Sequence, residues 1–219
     1  MVISTLNGSP KVGDSNSEMN LSVIEERLDK ENMIKRYTIN KKLLNKDEVS
    51  EIVLSDVLII AFPLYIDGIP SHLLEQMIIL EKAYQVQEHK KTVVYVVANN
   101  GFYEGDQNEY ALQMVENFCL RAGICWGQGI GIGAGEMIGQ LCKEKMPVNK
   151  GPLKSYGKAI ESLVSNIKNQ ICGENIYTCP NFPVFLFKLI AHYHQWDGNA
   201  KENGISKRQM RKRIIYNQN

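Results

Sequence analysis

The segment NGSPKVGDSNSE, residues 7–18, combines residue types that can bind an anion. Its short hydroxyl and amide side chains and its lysine are those of Ser9, Lys11, Ser15, Asn16 and Ser17. The segment lies between an apolar run and a helix-periodic stretch, and the free N–H groups at the start of a helix attract negative charge. It therefore predicts a phosphate site. Ser15 and Glu18 also have the spacing of a capping box, but capping alone does not account for the run from Ser9 to Ser17.

A second loop, FPLYIDGIPSHL at residues 62–73, places apolar and aromatic residues after an apolar run. Gly68 permits a tight turn, and Pro70 suits the first turn of a helix because its φ is fixed and it lacks an N–H. Leu64, Tyr65 and Ile66 stand before this turn. The triplet indicates a flat, partly apolar ligand that covers it, although an ordinary loop with some packing residues would have the same pattern.

A third loop, ANNGFYEGDQNE at residues 98–109, supplies hydrogen-bonding groups and rings. Its candidate residues are Asn99, Asn100, Gly101, Phe102 and Tyr103. The two amides are both donors and acceptors, the glycine lets the backbone approach a ligand, and the two rings add aromatic surface. On its own this loop could be a plain turn. Together, the three loops predict a phosphorylated, flat, heteroaromatic ligand.

The elements that must position these loops alternate between strands and helices. Apolar runs predict strands over 2–6, 33–39, 57–62, 92–98 and 126–132, and helical periodicity predicts helices over 18–29, 72–85, 109–122 and 153–171. Runs such as VLIIAF are apolar on both faces, as in parallel strands covered by helices on both sides. The pattern predicts one doubly wound α/β sheet of about five strands. The three loops would then meet at its carboxyl edge, where ligands bind in such folds.

The three loops in combination resemble the NAD(P)H-dependent FMN reductase family, whose members have the flavodoxin-like fold. The motifs are G-S-P-K with S-N-S, P-L-Y-I-D-G-I-P and N-N-G-F-Y-E, and the resemblance covers most of residues 1–170. It implies a five-stranded parallel sheet in the order 2-1-3-4-5. It also implies an FMN-binding domain over residues 1–172, a C-terminal helical and basic extension over residues 173–219 that is not an independent domain, and a homodimer.

The same resemblance implies cofactor-binding roles. The FMN phosphate would be held by Ser9, Lys11, Ser15, Asn16 and Ser17, the isoalloxazine would lie against Pro63, Leu64, Tyr65 and Ile66, and its polar edge would meet Asn99, Asn100, Gly101, Phe102 and Tyr103. NADH or NADPH would reduce the flavin, which would pass electrons to a quinone, nitro, azo or flavin acceptor. The cofactor performs the chemistry in such a scheme, so no residue is assigned as catalytic.

The alternative function is a flavodoxin-like FMN electron carrier or redox partner protein without efficient NAD(P)H oxidation of its own. Two departures from flavodoxins favour an enzyme: the phosphate loop lacks the T-x-T-G-x-T pattern, and the chain is not acidic. The run GIGIGAGE, residues 129–136, does not fit the dinucleotide fingerprint G-x-G-x-x-G. It is predicted to be the fifth strand and its exit, so the nicotinamide would stack transiently on the flavin.

Composition excludes several other classes. The 25 Lys and Arg residues against 24 Asp and Glu give a net charge of +1, so no overall field favours nucleic acid as a partner. The five cysteines lack the close spacing of a zinc or iron–sulfur site, so we expect no metal, and reduced thiols in a cytoplasmic protein. The start of the chain lacks a signal-peptide pattern, and the apolar stretch at residues 182–190 is too short to span a membrane.

The C-terminal segment needs a separate interpretation. Aromatic and aliphatic residues recur at helical spacing between Phe182 and Trp196, which predicts a helix that packs on its own sheet or on a second subunit. A lid over the flavin that includes His192 or His194 is the alternative. The basic run KRQMRKR, residues 207–213, is predicted to be a solvated helix face, with an anionic membrane or nucleic acid as the competing partner.

Overall fold

The computed structural model describes residues 1–88 and 91–212, and the chain divides into two compact units, Met1–Asn181 and Phe182–Asn219. Among the described residues, the first unit contains a parallel sheet of six strands in the order β2-β1-β3-β4-β5-β6. The strands are β1 Val2–Asn7, β2 Met33–Thr38, β3 Val57–Pro63, β4 Val93–Asn99, β5 Cys125–Ile132 and β6 Ile176–Thr178. The parallel α/β sheet agrees with the prediction, but the predicted number of five strands is wrong.

The sixth strand is too short for a sequence pattern to reveal it. β6 has three residues and pairs with β5 from Ile130 to Ile132. Gly131 lies opposite Tyr177, and a Cβ built on this glycine would approach the Tyr177 ring to 2.7 Å. The glycine-rich end of β5 therefore gives a further strand room to pair at the edge of the sheet.

Helices follow most of the strands and cover both faces of the sheet. They are α1 Asn16–Glu25, α2 Lys46–Val53, α3 Ser71–Gln85, α4 Glu109–Ala122, α5 Gly135–Lys143 and α6 Lys154–Asn169. The sequence pattern predicts α1, α3, α4 and α6 but misses α2 and α5. These two have 8 and 9 residues, which is too short for helical periodicity to stand out.

β3 divides the core between the two faces. Its alternate residues Val57, Ile59 and Ala61 are fully buried and cluster with apolar side chains of α1 and α6. The intervening residues of the strand cluster with α2, α3 and α4 on the opposite face. Since both faces are covered, polar groups can gather around the sheet only at its edges and at the ends of its strands.

The run GIGIGAGE is the end of β5 and the start of α5, so its interpretation as a strand and its exit is confirmed. The exit is a tight turn in which Ala134 has a φ of 51° and donates its N–H to the carbonyl of Phe102. A Cβ on Gly133 would lie 2.1 Å from the carbonyl oxygen of Tyr103. The glycines thus allow the loops after β4 and β5 to pack backbone against backbone.

The described residues of the second unit are helical. α7 Val184–Ile190 continues through a π-helical turn, Ala191–Trp196, into α8 Asp197–Glu202, and α9 Lys207–Met210 follows. The predicted basic helix face over residues 207–213 is described only to residue 212. Arg213 and the side chains of His194 and Lys207 lie outside the described part of the chain. Among the described helices, each is too short or too polar to cross a lipid bilayer.

Candidate functional site

A cavity of about 410 Å³ lies at the carboxyl edge of the sheet, where the strand order reverses between β1 and β3. Its lining comes from the loops after β1, β3 and β4 and from α5. The predicted site residues in this lining are Ser9, Lys11, Ser15, Asn16, Ser17, Pro63, Leu64, Tyr65, Asn99, Asn100 and Gly101. Three other predicted residues, Ile66, Phe102 and Tyr103, do not line it. Here Ser9 to Ser17 are called the α1 wall, and the remaining lining residues from Pro63 to Gly101 the β3–β4 wall.

Hydrogen bonds within the chain hold the α1 wall in shape. Asn7, buried at the end of β1, accepts the N–H of Ser9 at 3.0 Å. The Ser9 hydroxyl accepts the N–H of Lys11 at 3.3 Å, and the Lys11 carbonyl accepts an amide hydrogen of Asn40 at 3.1 Å. Bonds within the loop and one from Asn40 therefore hold it in a shape that presents a lysine and serine hydroxyls to the cavity.

The N-terminus of α1 opens this wall. Ser15 caps the helix, because its hydroxyl oxygen accepts the N–H of Glu18 at 3.1 Å. The capping box is only half formed, since the Glu18 carboxylate accepts from the Asn7 amide at 2.9 Å instead. A hydroxyl that accepts one hydrogen bond can still donate its own hydrogen. Ser17 is buried, and its hydroxyl has no hydrogen-bond partner among residues 1–88 and 91–212.

A hairpin turn shapes the apolar side of the β3–β4 wall. The N–H and carbonyl of Tyr65 exchange hydrogen bonds with those of Gly68, each at 3.0 Å. Ile66 and Asp67 between them have φ values of 48° and 57°, the signs of a type I′ turn. Such a turn leaves Ile66 fully exposed, outside the cavity, while Tyr65 is half exposed at its rim. A β-branched residue with positive φ is strained, so this turn stores energy beside the site.

The polar side of the β3–β4 wall contains two buried amides. The Leu64 N–H donates to the Asn99 carbonyl at 2.8 Å, which joins the loops after β3 and β4. The Asn100 side chain donates to the Glu104 carbonyl at 3.0 Å. In the described part of the chain, the side-chain oxygens of both Asn99 and Asn100 are buried without a partner. An unpaired buried acceptor costs about 1–3 kcal/mol, which a ligand N–H would offset.

The two rings of the third loop face elsewhere. More than half of the Phe102 side chain is exposed, and its carbonyl is held by the N–H of Ala134. The Tyr103 hydroxyl donates to the Pro180 carbonyl at 3.0 Å, and burial raises the pKa of Tyr103 above its ordinary value. These two bonds hold Phe102 and Tyr103 outside the cavity lining.

The sequence reasoning missed the fourth side of the cavity, which α5 forms. Its lining residues are Glu136, Gly139, Gln140 and Lys143. A Cβ on Gly139 would lie 2.1 Å from the side-chain oxygen of Asn16, so a glycine here lets α5 approach the α1 wall. These residues are spaced i, i+3, i+4 and i+7, so they share one face of a helix. In the sequence, this helical spacing directly after the fifth strand could have predicted that these residues border the site.

His, Cys, Asp and Glu side chains are the usual protein ligands of metal ions. Within residues 1–88 and 91–212, no group of three or more His, Cys, Asp or Glu side chains is arranged to hold a metal ion. Burial raises the pKa of Cys142 to about 11 and that of Cys119 further. These two thiols are therefore protonated near neutral pH, the form that is a poor metal ligand.

Solved structures with a similar fold include an oxidoreductase and two reductases. NADH:FMN oxidoreductase (EMOB) in its apo form is 16% identical, with a TM-score of 0.55 over 79% of this chain and 91% of that one. An NADPH-quinone reductase from P. pentosaceus is 13% identical, with a TM-score of 0.53 over 79% and 99%. The azoreductase from Bacillus anthracis str. Sterne is 13% identical, with a TM-score of 0.51 over 78% and 99%.

The chain has the flavodoxin-like fold. Its first five strands follow the order 2-1-3-4-5 that defines this fold, and β6 adds to the edge beyond β5. The similar structures are proteins of the kind that the three loops resemble. At identities this low the likeness extends to the fold. No family model and no curated protein matches the sequence.

The cavity residues fit the chemistry of FMN. A helix N-terminus with serine hydroxyls and a lysine suits a phosphate group, and the Pro63–Leu64–Tyr65 segment suits one face of an apolar ring. The unpaired amide oxygens of Asn99 and Asn100 suit the N–H of a pyrimidine edge. All three subsites border one cavity, as a single ligand that carries these three groups requires.

Proposed function

We propose that this chain is an FMN-dependent NAD(P)H oxidoreductase. The observation that carries the proposal is the meeting of three subsites in one cavity at the strand-order reversal: an anion-binding helix start, an apolar shelf and a pair of buried, unpaired amide oxygens. The likeness in fold to an NADH:FMN oxidoreductase and an NADPH-quinone reductase supports it.

The residues of the α1 wall would bind the phosphate. Lys11 is exposed and supplies a positive charge, and Ser15 keeps its hydroxyl hydrogen for donation while its oxygen caps α1. Asn16 and Ser17 add side-chain donors in the first turn of the helix, where the backbone dipole also favours an anion. Ser9 would donate its hydroxyl hydrogen from the opposite side of the loop. This wall would select the phosphorylated flavin over riboflavin.

The residues of the β3–β4 wall would orient the ring. Pro63, Leu64 and Tyr65 would cover one ring face and exclude water from it, and Asn99 and Asn100 would accept hydrogen bonds from its polar edge. Bound FMN would supply the redox chemistry, which is to accept hydride from the reduced nicotinamide and to pass electrons to the acceptor. The acceptor would be a quinone, nitro, azo or flavin compound.

Backbone N–H groups near the ring would stabilise negative charge on it. The N–H groups of Tyr65 and Asn100 already donate, to the carbonyls of Gly68 and Ile132. Within the described residues, the neighbouring Gly101 N–H has no such partner, and Gly101 lines the cavity. Gly101 is therefore our choice for this role, with no side chain acting as a general base.

Titration of the purified protein with FMN tests the proposal. We expect quenching of FMN fluorescence with micromolar or tighter affinity, weaker binding of riboflavin, and NADH or NADPH oxidation by the FMN-loaded protein with a quinone or an azo dye. A protein that binds no FMN would contradict the cofactor assignment. A protein that binds FMN but turns over only after a separate reductase is added would be an electron carrier.

We also propose that two copies of the chain pair through α3 and α4. Leu74 and Ile78 on α3, and Tyr110 and Met114 on α4, are spaced i and i+4, and all four side chains are more than a third exposed. Monomeric proteins rarely expose apolar patches larger than a few hundred Å². The mass in solution by light scattering tests this: a dimer that the change Ile78→Glu with Met114→Glu converts to a folded monomer is the expected result, and a wild-type monomer contradicts it.

A further inference from the structure

We propose that the helix over residues 184–202, together with the basic segment that follows it, binds the surface of an anionic lipid bilayer. This role involves only the second unit. It is independent of the cavity and of the function proposed above, and its test does not use the flavin.

An exposed apolar stripe runs along this helix. Phe185, Leu189 and Tyr193 follow one another at intervals of four residues, which places them on one side of a helix, and Trp196 comes one short turn later. Their exposed fractions are 70%, 52%, 56% and 68%. We call these four residues the apolar stripe. Single exposed apolar residues are ordinary, but four large ones within the twelve residues from Phe185 to Trp196 indicate a binding surface.

The second unit is also strongly basic. Residues 182–219 contain 7 Lys and Arg against 2 Asp and Glu, a net charge of 7 − 2 = +5. Residues 1–181 contain the other 18 Lys and Arg against 22 Asp and Glu, a net charge of 18 − 22 = −4. The overall charge of +1 therefore conceals two units of opposite sign. The basic residues that the structure describes as exposed are Lys188, Lys201, Arg208, Arg211 and Lys212.

Apolar stripe and positive charge together match a bilayer surface. A helix with aromatic and aliphatic residues on one side and a basic polar part lies in the plane of the interface, with its apolar side between the headgroups. Trp and Tyr rings favour that depth because they combine an apolar body with a polar tip. Each Lys or Arg near an anionic surface strengthens binding about fivefold. The described helices are too short or too polar to cross the bilayer.

Other partners account for only part of these observations. The phosphates of a nucleic acid would bind the positive charges, but they would make no favourable contact with an aliphatic side chain such as Leu189. A second copy of the same unit would cover the stripe, but it would bring two units of charge +5 together. Of these three partners, only an anionic bilayer accounts for both the apolar stripe and the positive charge.

Co-sedimentation of the full-length protein with lipid vesicles tests the proposal. We expect binding to vesicles of phosphatidylcholine with phosphatidylserine, little binding to phosphatidylcholine alone, and release as the ionic strength rises toward 1 M, where the Debye length falls to about 3 Å. Tryptophan emission should shift to the blue on binding. The change Trp196→Phe should remove that shift and keep most of the binding, because the other tryptophan, Trp126, belongs to the first unit.

Paired variants separate the stripe from the charge. Arg208→Gln with Arg211→Gln should weaken binding about 25-fold, and Phe185→Ser with Leu189→Ser should weaken it by at least as much. The matched controls lie in the first unit. Lys41→Gln with Lys42→Gln removes two exposed charges, and Val86→Ser with Leu120→Ser removes two exposed apolar side chains. Both control pairs should bind like wild type, and circular dichroism checks that every variant is folded.

Three results would overturn the proposal. The first is a folded wild-type protein that stays in solution with anionic vesicles. The second is binding that the control pairs weaken as much as the stripe and charge pairs do. The third is evidence that another partner covers the surface. Such evidence is protection of Trp196 from acrylamide quenching in lipid-free protein, or tighter binding of the protein to duplex DNA than to vesicles.

Discussion

The two walls of the cavity are built in different ways. In the α1 wall, several of the hydrogen bonds that fix the loop join residues two or three positions apart, as from Lys11 to Ser9 and from Glu18 to Ser15, and one from Asn40 to Lys11 comes from farther along the chain. In the β3–β4 wall, local bonds within each loop are supplemented by bonds between distant segments, as from Leu64 to Asn99 and from Asn100 to Ile132, and two buried amide oxygens stay unpaired among the described residues. Among the described residues, the α1 wall therefore leaves one buried hydroxyl, that of Ser17, without a partner, whereas the β3–β4 wall leaves two buried oxygens that can only accept.

The largest expected effect comes from filling the contact between α5 and the α1 wall. Gly139→Val places a branched side chain where a Cβ alone would lie 2.1 Å from Asn16, so we expect FMN binding to weaken by about 2–3 kcal/mol. Gly198→Val in α8 is the matched control, since Gly198 does not line the cavity and a Cβ there would have its nearest neighbour at 3.9 Å. Fluorescence titration of both variants measures the difference. Equal losses would contradict the close approach of α5.

Removing the charge of the α1 wall should affect the phosphate alone. Lys11→Gln should weaken FMN binding about tenfold, because a charge-assisted hydrogen bond contributes about 1.5 kcal/mol, and should leave riboflavin binding unchanged. Lys91→Gln, an exposed lysine before β4, is the control. If Lys11→Gln weakens the binding of FMN and riboflavin equally, Lys11 does not bind the phosphate.

Removing an unpaired oxygen from the β3–β4 wall should affect both ligands equally. Asn99→Ala should weaken FMN and riboflavin by the same factor, about fivefold for one hydrogen bond of about 1 kcal/mol. The free energy of unfolding of the ligand-free protein should not fall, because the lost amide oxygen has no partner among the described residues. Chemical denaturation with and without FMN measures both quantities. A large loss of stability in the ligand-free protein would mean that the amide serves the fold.

The smallest effect concerns the strained turn of the β3–β4 wall. Ile66→Asn should raise the free energy of unfolding by about 1 kcal/mol, since asparagine tolerates the positive φ that a β-branched residue resists. Ile66→Val, which keeps the branch, should bring no such gain. FMN affinity should stay close to wild type in both, because Ile66 does not line the cavity. If Ile66→Val raises the free energy of unfolding as much as Ile66→Asn does, backbone strain at Ile66 is not the cause of the gain.

The different construction of the two walls also decides what the sequence could predict. All five residues of the α1 wall were predicted, because their arrangement depends on local rules for helix starts and loops. The positions of Phe102 and Tyr103 depend on bonds to Ala134 and Pro180, which no local pattern encodes. Phe102 and Tyr103 were therefore included as site residues although they lie outside the cavity lining.

The fold shows the same division between local and distant causes. Strands β1 to β5 were recognisable from their apolar runs, and the α/β alternation predicted the parallel sheet. β6 forms because Gly131 leaves space opposite Tyr177, a fact about two residues far apart in the chain. α5 was missed because it is short, and with it the side of the cavity that includes Gly139 and Lys143.

The opposite charges of the two units have a practical consequence for handling the protein. The whole chain has an isoelectric point of about 7.6, which suggests weak retention on any ion-exchange resin near neutral pH. An ion-exchange resin, however, can bind a locally charged part of a protein. At low salt we therefore expect the protein to bind a cation exchanger through its C-terminal segment. A chain cut after Asn181 should instead bind an anion exchanger, so chromatography alone would reveal proteolytic loss of the segment.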